Sequence, residues 1–249
     1  MLLQYVFSSA ILNAMQASDW EFKNRAVIFG MIIGLSFALY SLDHENVAAA
    51  FANWLAPKLH ADAETLARMV FGFAALLLVA AAFLRTWASS YLWASVVYAA
   101  QVKSAALVAD GPYRHVRNPL YLANVMMSVG MGTTMSRSGM ILAVVAMLIY
   151  CYRLILREEQ ELRASQGSQY DAYVRAVPRL WPSLSARTVS AGREARWSDG
   201  LKAESWYWGF AIGTIAFAIT LNTTLFLAVV GISIAVFWAS SKALQSKPS

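Results

Sequence analysis

Between positions 111 and 121 the chain reads Gly-Pro-Tyr-Arg-His-Val-Arg-Asn-Pro-Leu-Tyr, a polar, basic and aromatic cluster that runs straight into a long apolar stretch. Asn118 is a residue type that caps helix starts, and Pro119 suits the first helical turn, so a helix N-terminus with free backbone N–H groups is expected here. Such a terminus receives an anion, while the faces of Tyr113 and Tyr121 attract a cation. A second cluster reads Arg157-Glu158-Glu159-Gln160-Glu161-Leu162, followed by Gly167, Tyr170, Tyr173 and Val177-Pro178-Arg179-Leu180-Trp181-Pro182. Tyr170 and Tyr173 share one face of a helix that Pro178 and Pro182 end.

The elements that hold these clusters follow from composition. With 59% hydrophobic and 14% charged residues among 249, the chain is too apolar for an ordinary soluble protein. The expected class is all-α, a polytopic membrane helical bundle of about six transmembrane helices plus an N-terminal interfacial helix. The apolar runs 26–42, 66–84, 119–135, 140–156, 206–221 and 223–238 are each about long enough to cross roughly 30 Å of hydrocarbon. The segment 86–101 is apolar but rich in Trp, Tyr and Ser, and reads as an interfacial or packed helix or as a seventh crossing. The first fifteen residues carry no basic n-region, which argues against a cleaved signal peptide. Ser18 and Glu21 form a capping-box pattern at the entry to the first span.

Basic residues set the orientation. With the N-terminus inside and six crossings, Lys23, Arg25, Arg85, Lys103, Arg114, Arg117, the basic series 157–202, Lys242 and Lys247 are cytoplasmic, and only Lys58, Arg68 and Arg137 lie outside. Short turns at 136–139 and around Asn222 join the outer ends, and 183–200 reads as a mobile linker to a last hairpin. The net charge of +6 then reflects orientation and attraction to anionic headgroups, with no nucleic acid as partner. Cys151 is the single cysteine, and His44, His60 and His115 are scattered, so no metal site is expected. Apart from Arg153 the spans carry few polar residues, which disfavours a transporter.

Together the two clusters resemble the isoprenylcysteine carboxyl methyltransferase family and its membrane-embedded relatives, the phospholipid N-methyltransferases among them. The resemblance covers about 107–182: Gly-Pro-Tyr, four residues, Asn-Pro-Leu-Tyr, one helical hairpin, then Glu-Glu, Leu, Gly, two Tyr and a Pro-Arg ending. It implies a cytoplasm-facing site for S-adenosyl-L-methionine, contacted by Leu107, Val108, Tyr113, Arg117, Asn118, Pro119, Leu120, Tyr121 and Glu158. Asn118 stands where the family often has His; it exchanges hydrogen bonds but cannot take up a proton's charge. The resemblance also implies an arginine that orients an anionic acceptor near the methyl, for which Arg153 and Arg157 are the candidates. Each has a plainer reading, snorkelling to the interface or, for Arg157, pairing with Glu161 at helical spacing. Arg117 holds either the cofactor carboxylate or a lipid phosphate. Tyr113 and Tyr121 also fit an interfacial aromatic belt, and Glu158, Glu159 and Glu161 a solvated helix face.

The implied activity is methyl transfer to a lipid-like or prenylated acceptor entering from the bilayer. A carboxylate acceptor is favoured because it needs no general base; the alternatives are phospholipid N-methylation or a non-catalytic membrane accessory or transport protein. The expected organisation is a core over 1–205, with its cofactor region at 105–182, and an additional hairpin over 206–249. Gly209 and Gly213 on that hairpin suit close helix contact, including a homo-oligomer interface. A multi-pass bacterial inner-membrane location with both termini cytoplasmic completes the reading.

Overall fold

The computed structural model describes residues 15–92 and 109–245, and among them every regular element is a helix. We number the α-helices α1 (Asp19–Lys23), α2 (Arg25–Ala38), α3 (Val47–Leu59), α4 (Ala63–Leu92), α5 (Pro119–Gly132), α6 (Arg137–Gln166), α7 (Ser168–Ala176), α8 (Trp197–Ala203), α9 (Ser205–Thr220) and α10 (Thr223–Gln245). Short 3-10 turns lie at Leu39–Ser41 and Gly111–Arg114.

Two helices, α4 and α6, have 30 residues each and are apolar and long enough to cross a membrane. The runs 66–84 and 140–156 lie inside them. The other runs make shorter helices. Run 119–135 yields 14 residues, about 21 Å, short of the roughly 30 Å of a bilayer core. Past Gly132 the backbone leaves the α-helical pattern, the N–H groups of Thr133, Thr134 and Met135 donating to the carbonyls three residues back. Run 26–42 likewise gives α2 and a 3-10 turn. Large apolar side chains stand exposed along these elements, among them Val27, Leu35, Phe73, Leu76, Ile141, Ile149, Ile219 and Ile232. Outward apolar faces on this scale are those of a membrane protein.

The helices pack in a row: α10 on α9, α9 on α4, α4 on α5, α5 on α6 and α6 on α2. Small residues let α4 sit at the centre, since Ala74, Ala81, Ala82 and Ala88 are buried along it. Gly130 of α5 rides over Leu78, whose Cγ would lie 2.7 Å from an added Cβ. On the other side, α8 seats on α4 where Gly200 meets the Thr86 carbonyl, 2.6 Å from any added Cβ. Gly209 and Gly213 face Ser233, Phe226 and Val230, so the expected close contact is made within the α9–α10 hairpin itself.

Local signals gave mixed results. Ser18 and Glu21 form the capping box, Ser18 N–H donating to Glu21 at 2.6 Å and Glu21 N–H to Ser18 Oγ at 3.3 Å, but it opens only the five-residue α1 before the chain turns at Asn24. Ser136 caps α6 through Gly139 N–H, and Asn222 caps α10 through Leu225 N–H. The segment 86–101 begins as the last turns of α4; from 93 onward, like the proposed interfacial helix over 1–14, it lies outside the described residues.

The stretch 183–200 is not a loose linker. Ser183 N–H donates to the His115 carbonyl at 3.0 Å, Arg187 N–H to that of Arg114 at 2.8 Å and Arg196 N–H to that of Ser90 at 2.9 Å. Asp110 gathers the Ser190 hydroxyl at 2.5 Å and the N–H groups of Ala191 and Arg193 at 2.9 and 3.1 Å. Burial opposes the charge on Asp110, and these donors outweigh it, holding the carboxyl below its usual range. The stretch is a strap fastened along the 110–117 segment, and its last residues begin α8.

Candidate functional site

The two polar clusters meet at the junction of α5, α6 and α7. Gly111, at φ +57, takes the left-handed turn that starts the 3-10 segment, and the Tyr91 ring occupies the place of its missing side chain, 2.3 Å from an ideal Cβ. Tyr113 follows, buried, with its carbonyl accepting from the Tyr173 hydroxyl at 2.7 Å. The Arg117 N–H donates to the Pro178 carbonyl at 2.8 Å. Tyr121 on α5 donates its hydroxyl to Glu158 on α6 at 2.6 Å. The last three contacts each join residues from different clusters.

The adjacent glutamates do different work. Glu158 faces Tyr121. Glu159, buried, is the structural hub: Arg179 donates to it at 2.8 and 3.1 Å, Asn118 at 3.3 Å, and Arg117 Nη1 stands 3.3 Å away. The Asn118 side chain does not cap α5, contrary to the expectation from residue type, because its amide is spent on Glu159 and on the Arg179 carbonyl at 3.1 Å. Tertiary partners outcompete the local cap. Pro119 does occupy the first helical turn and is buried, and Leu120 turns its carbonyl toward Arg85 of α4, 3.4 Å from Nη1.

Two buried groups are left over. The Tyr113 hydroxyl and the Nε and Nη1 of Arg117 have no hydrogen-bond partner among the described residues; Arg117 Nη1 is near Glu159 but not aligned to donate to it. Burial pushes the Tyr113 phenol well above its ordinary range, so it remains a donor. Unpaired buried donors are costly, and a ligand bearing acceptor atoms would satisfy them. The residues present therefore fit a small molecule with an anionic end near Arg117 and a cationic centre near Tyr121 and Glu158.

Arg153 and Arg157 look elsewhere. Arg153 donates to both carboxylate oxygens of Glu21, at 2.8 and 3.1 Å, and this bond holds the Glu21 carboxyl below its usual range. Arg157 pairs with Asp19 and Glu161, each at 2.8 Å, and lies over the Phe22 ring. Both arginines thus fasten residues 17–22 to α6. Leu107 and Val108 lie outside the described residues.

A further polar group was not anticipated from the sequence. Arg85 of α4 pairs with Glu204 at 2.5 Å, both buried, and Ser89 donates to the other Glu204 oxygen at 2.5 Å. Arg85 Nη1 also donates to Asn124 Oδ1 at 2.6 Å, and the Tyr207 hydroxyl donates to the same oxygen. The signal was present for Asn124, a polar residue inside the apolar run 119–135 and so a candidate by default; Arg85, at the edge of run 66–84, carried none.

Residues 68–168 match the family model described as phospholipid methyltransferase, the group of membrane methyltransferases to which the isoprenylcysteine carboxyl methyltransferase type is related. Similar proteins include a nickel-cobalt-cadmium resistance protein of Alcaligenes xylosoxydans xylosoxydans, 35% identical over 95 residues, which is 38% of this chain and 44% of that protein. A cobalt-zinc-cadmium resistance protein of Cupriavidus metallidurans is 34% identical over 95 residues, 38% of this chain and 43% of the relative. The chain thus spans less than half the length of these relatives. No solved structure matches.

Proposed function

We propose that this membrane protein transfers a methyl group from S-adenosyl-L-methionine to a lipid-like acceptor, at a cytoplasm-facing site roofed by the bilayer. The observation that carries the reading is the meeting of the two polar clusters around buried, unpartnered donors on Tyr113 and Arg117. Arg117 takes the amino-acid carboxylate, Glu158 the cationic portion, and the rings of Tyr113 and Tyr121 flank the sulfonium. The cofactor supplies a methyl on positively charged sulfur, which becomes neutral on transfer. The chain's own contribution is alignment and a dry, fixed electrostatic surround. Tyr113, held protonated, donates and does not abstract; Glu158 accepts from the Tyr121 hydroxyl, while Arg179 is spent on Glu159.

A carboxylate acceptor needs no general base but calls for an arginine, and the two candidates, Arg153 and Arg157, are engaged by acids of the N-terminal segment. An amine acceptor is the second reading, supported by the phospholipid description of the family and by Glu158, a carboxylate suited to an ammonium head. About six crossings, with both termini cytoplasmic, remain part of the proposal. The decisive experiment incubates purified protein with methyl-labelled cofactor and a total bacterial lipid extract. Alkali-labile label identifies an ester, stable label on a headgroup identifies an amine, and no label with no cofactor binding refutes the proposal.

A further inference from the structure

Arg85 and Glu204 are 8% and 0% exposed, and the pair lies between α4 and the start of α9, outside the cofactor contacts described above. As a stabilising device it is hard to justify. Desolvating two charges costs as much as their attraction returns, and an apolar pair of similar volume usually serves a fold as well or better. The group is elaborate besides: Ser89 and Tyr207 hydroxyls, the Asn124 amide and the Arg85 guanidinium 4.6 Å above the Tyr207 ring all belong to it.

Its position supplies the reason. Asn124 sits one turn beyond Tyr121 on α5, and Arg85 also reaches the Leu120 carbonyl, so the group touches the helix that carries the cofactor contacts. On α6, Cys151 faces Asn124 two turns before Glu158. The buried hydroxyl of Tyr113, without a partner among the described residues, feels the charges of Glu158, Arg85 and Glu204 alike.

We propose that Arg85, fixed by Glu204, and Asn124 form the far wall of the reaction chamber and bind the polar head of the methyl acceptor, so that the α9 hairpin beyond the matched 68–168 region completes the site. This rests on the methyltransferase reading. The wall pairs one cation with one anion, so it suits a head that both donates and accepts hydrogen bonds and brings no net charge of its own. Arg85 and Asn124 touch the acceptor, Glu204 positions Arg85, and cofactor binding is left to Arg117, Tyr121 and Glu158.

The test compares wild-type protein with the Arg85→Met, Glu204→Gln double variant, which keeps volume while removing both charges. Cofactor affinity is read by calorimetry, folding by thermal melting, and transfer by labelling of a total bacterial lipid extract at several lipid concentrations. The expected result is unchanged melting and cofactor affinity within about threefold, with the lipid KM raised or labelling lowered by about a hundredfold, the scale of a misplaced reactant. Wild-type labelling by the double variant overturns the proposal, as does loss of cofactor binding in step with labelling. If the double variant does not fold, Arg85→Lys takes its place; the lipid KM must rise while the cofactor KM stays fixed, and equal changes in both overturn the assignment. Wild-type protein that binds no cofactor would instead defeat the methyltransferase reading on which this one stands.

Discussion

Glu158→Gln and Glu159→Gln, one position apart on α6, should give opposite phenotypes. Glutamine keeps the shape at 158 and still meets the Tyr121 hydroxyl, so the loss is confined to the charge offered to a cationic ligand. A hydrogen bond to a charged group is worth about 1.5–3 kcal/mol, which converts to roughly 10- to 150-fold weaker binding of S-adenosylmethionine. Melting should be unaffected. At 159 the same change weakens the acceptor of Arg179 and Asn118 and removes the negative charge 3.3 Å from the Arg117 guanidinium, itself 8% exposed. Breaking a buried pair from one side costs roughly 3–5 kcal/mol, and the partial exposure of Arg179 trims its share. Glu159→Gln should therefore melt well below wild type. Calorimetry and melting in the same detergent decide the matter. Unchanged cofactor affinity in Glu158→Gln, or wild-type melting in Glu159→Gln, would show that the division of labour between the two acids is misread.

Asp110→Ala removes the acceptor for three donors of the strap; losing about 3 kcal/mol of local stability should speed tryptic cleavage at Arg187 and Arg193 by roughly a hundredfold, and equal rates would refute the fastening. The Ser138 N–H, followed by Arg137, holds the Asp43 carboxyl down to about 2 from its ordinary 3.8. Its stabilising effect is complete above the unfolded value near 4 and is lost as pH falls through the folded one, so the melting gap between wild type and Asp43→Asn should close between about pH 4 and pH 2. A gap that persists at the lower end would contradict this.

Features governed by near neighbours were legible in the sequence. The Ser18–Glu21 box, the Tyr170 and Tyr173 face and the glycine seats of α9 need only helical geometry, and the two polar clusters could be paired because one hairpin separates them. Long-range choices were hidden. Glu21 captures Arg153 across 132 positions, and Glu204 captures Arg85 across 119, and no local pattern favours these acids over others. Asn118 illustrates the same competition at one residue: its type advertises a cap, yet a buried carboxylate and a carbonyl offer its amide more. The strap was misread because Ser, Gly and Arg composition marks a segment without its own regular structure, which is silent about fastening to another part of the chain.

The seat of α8 on α4 has an effect at a distance. Gly200 is followed by exposed Leu201 and Lys202, and a survey of α8 alone would treat it as tolerant surface. A single methyl there must displace the Thr86 carbonyl and Ser90 backbone, lifting the short helix and drawing Glu204, four residues on, out of reach of Arg85. The smallest side chain in the molecule thus acts as a spacer that keeps a buried acid within reach of its arginine.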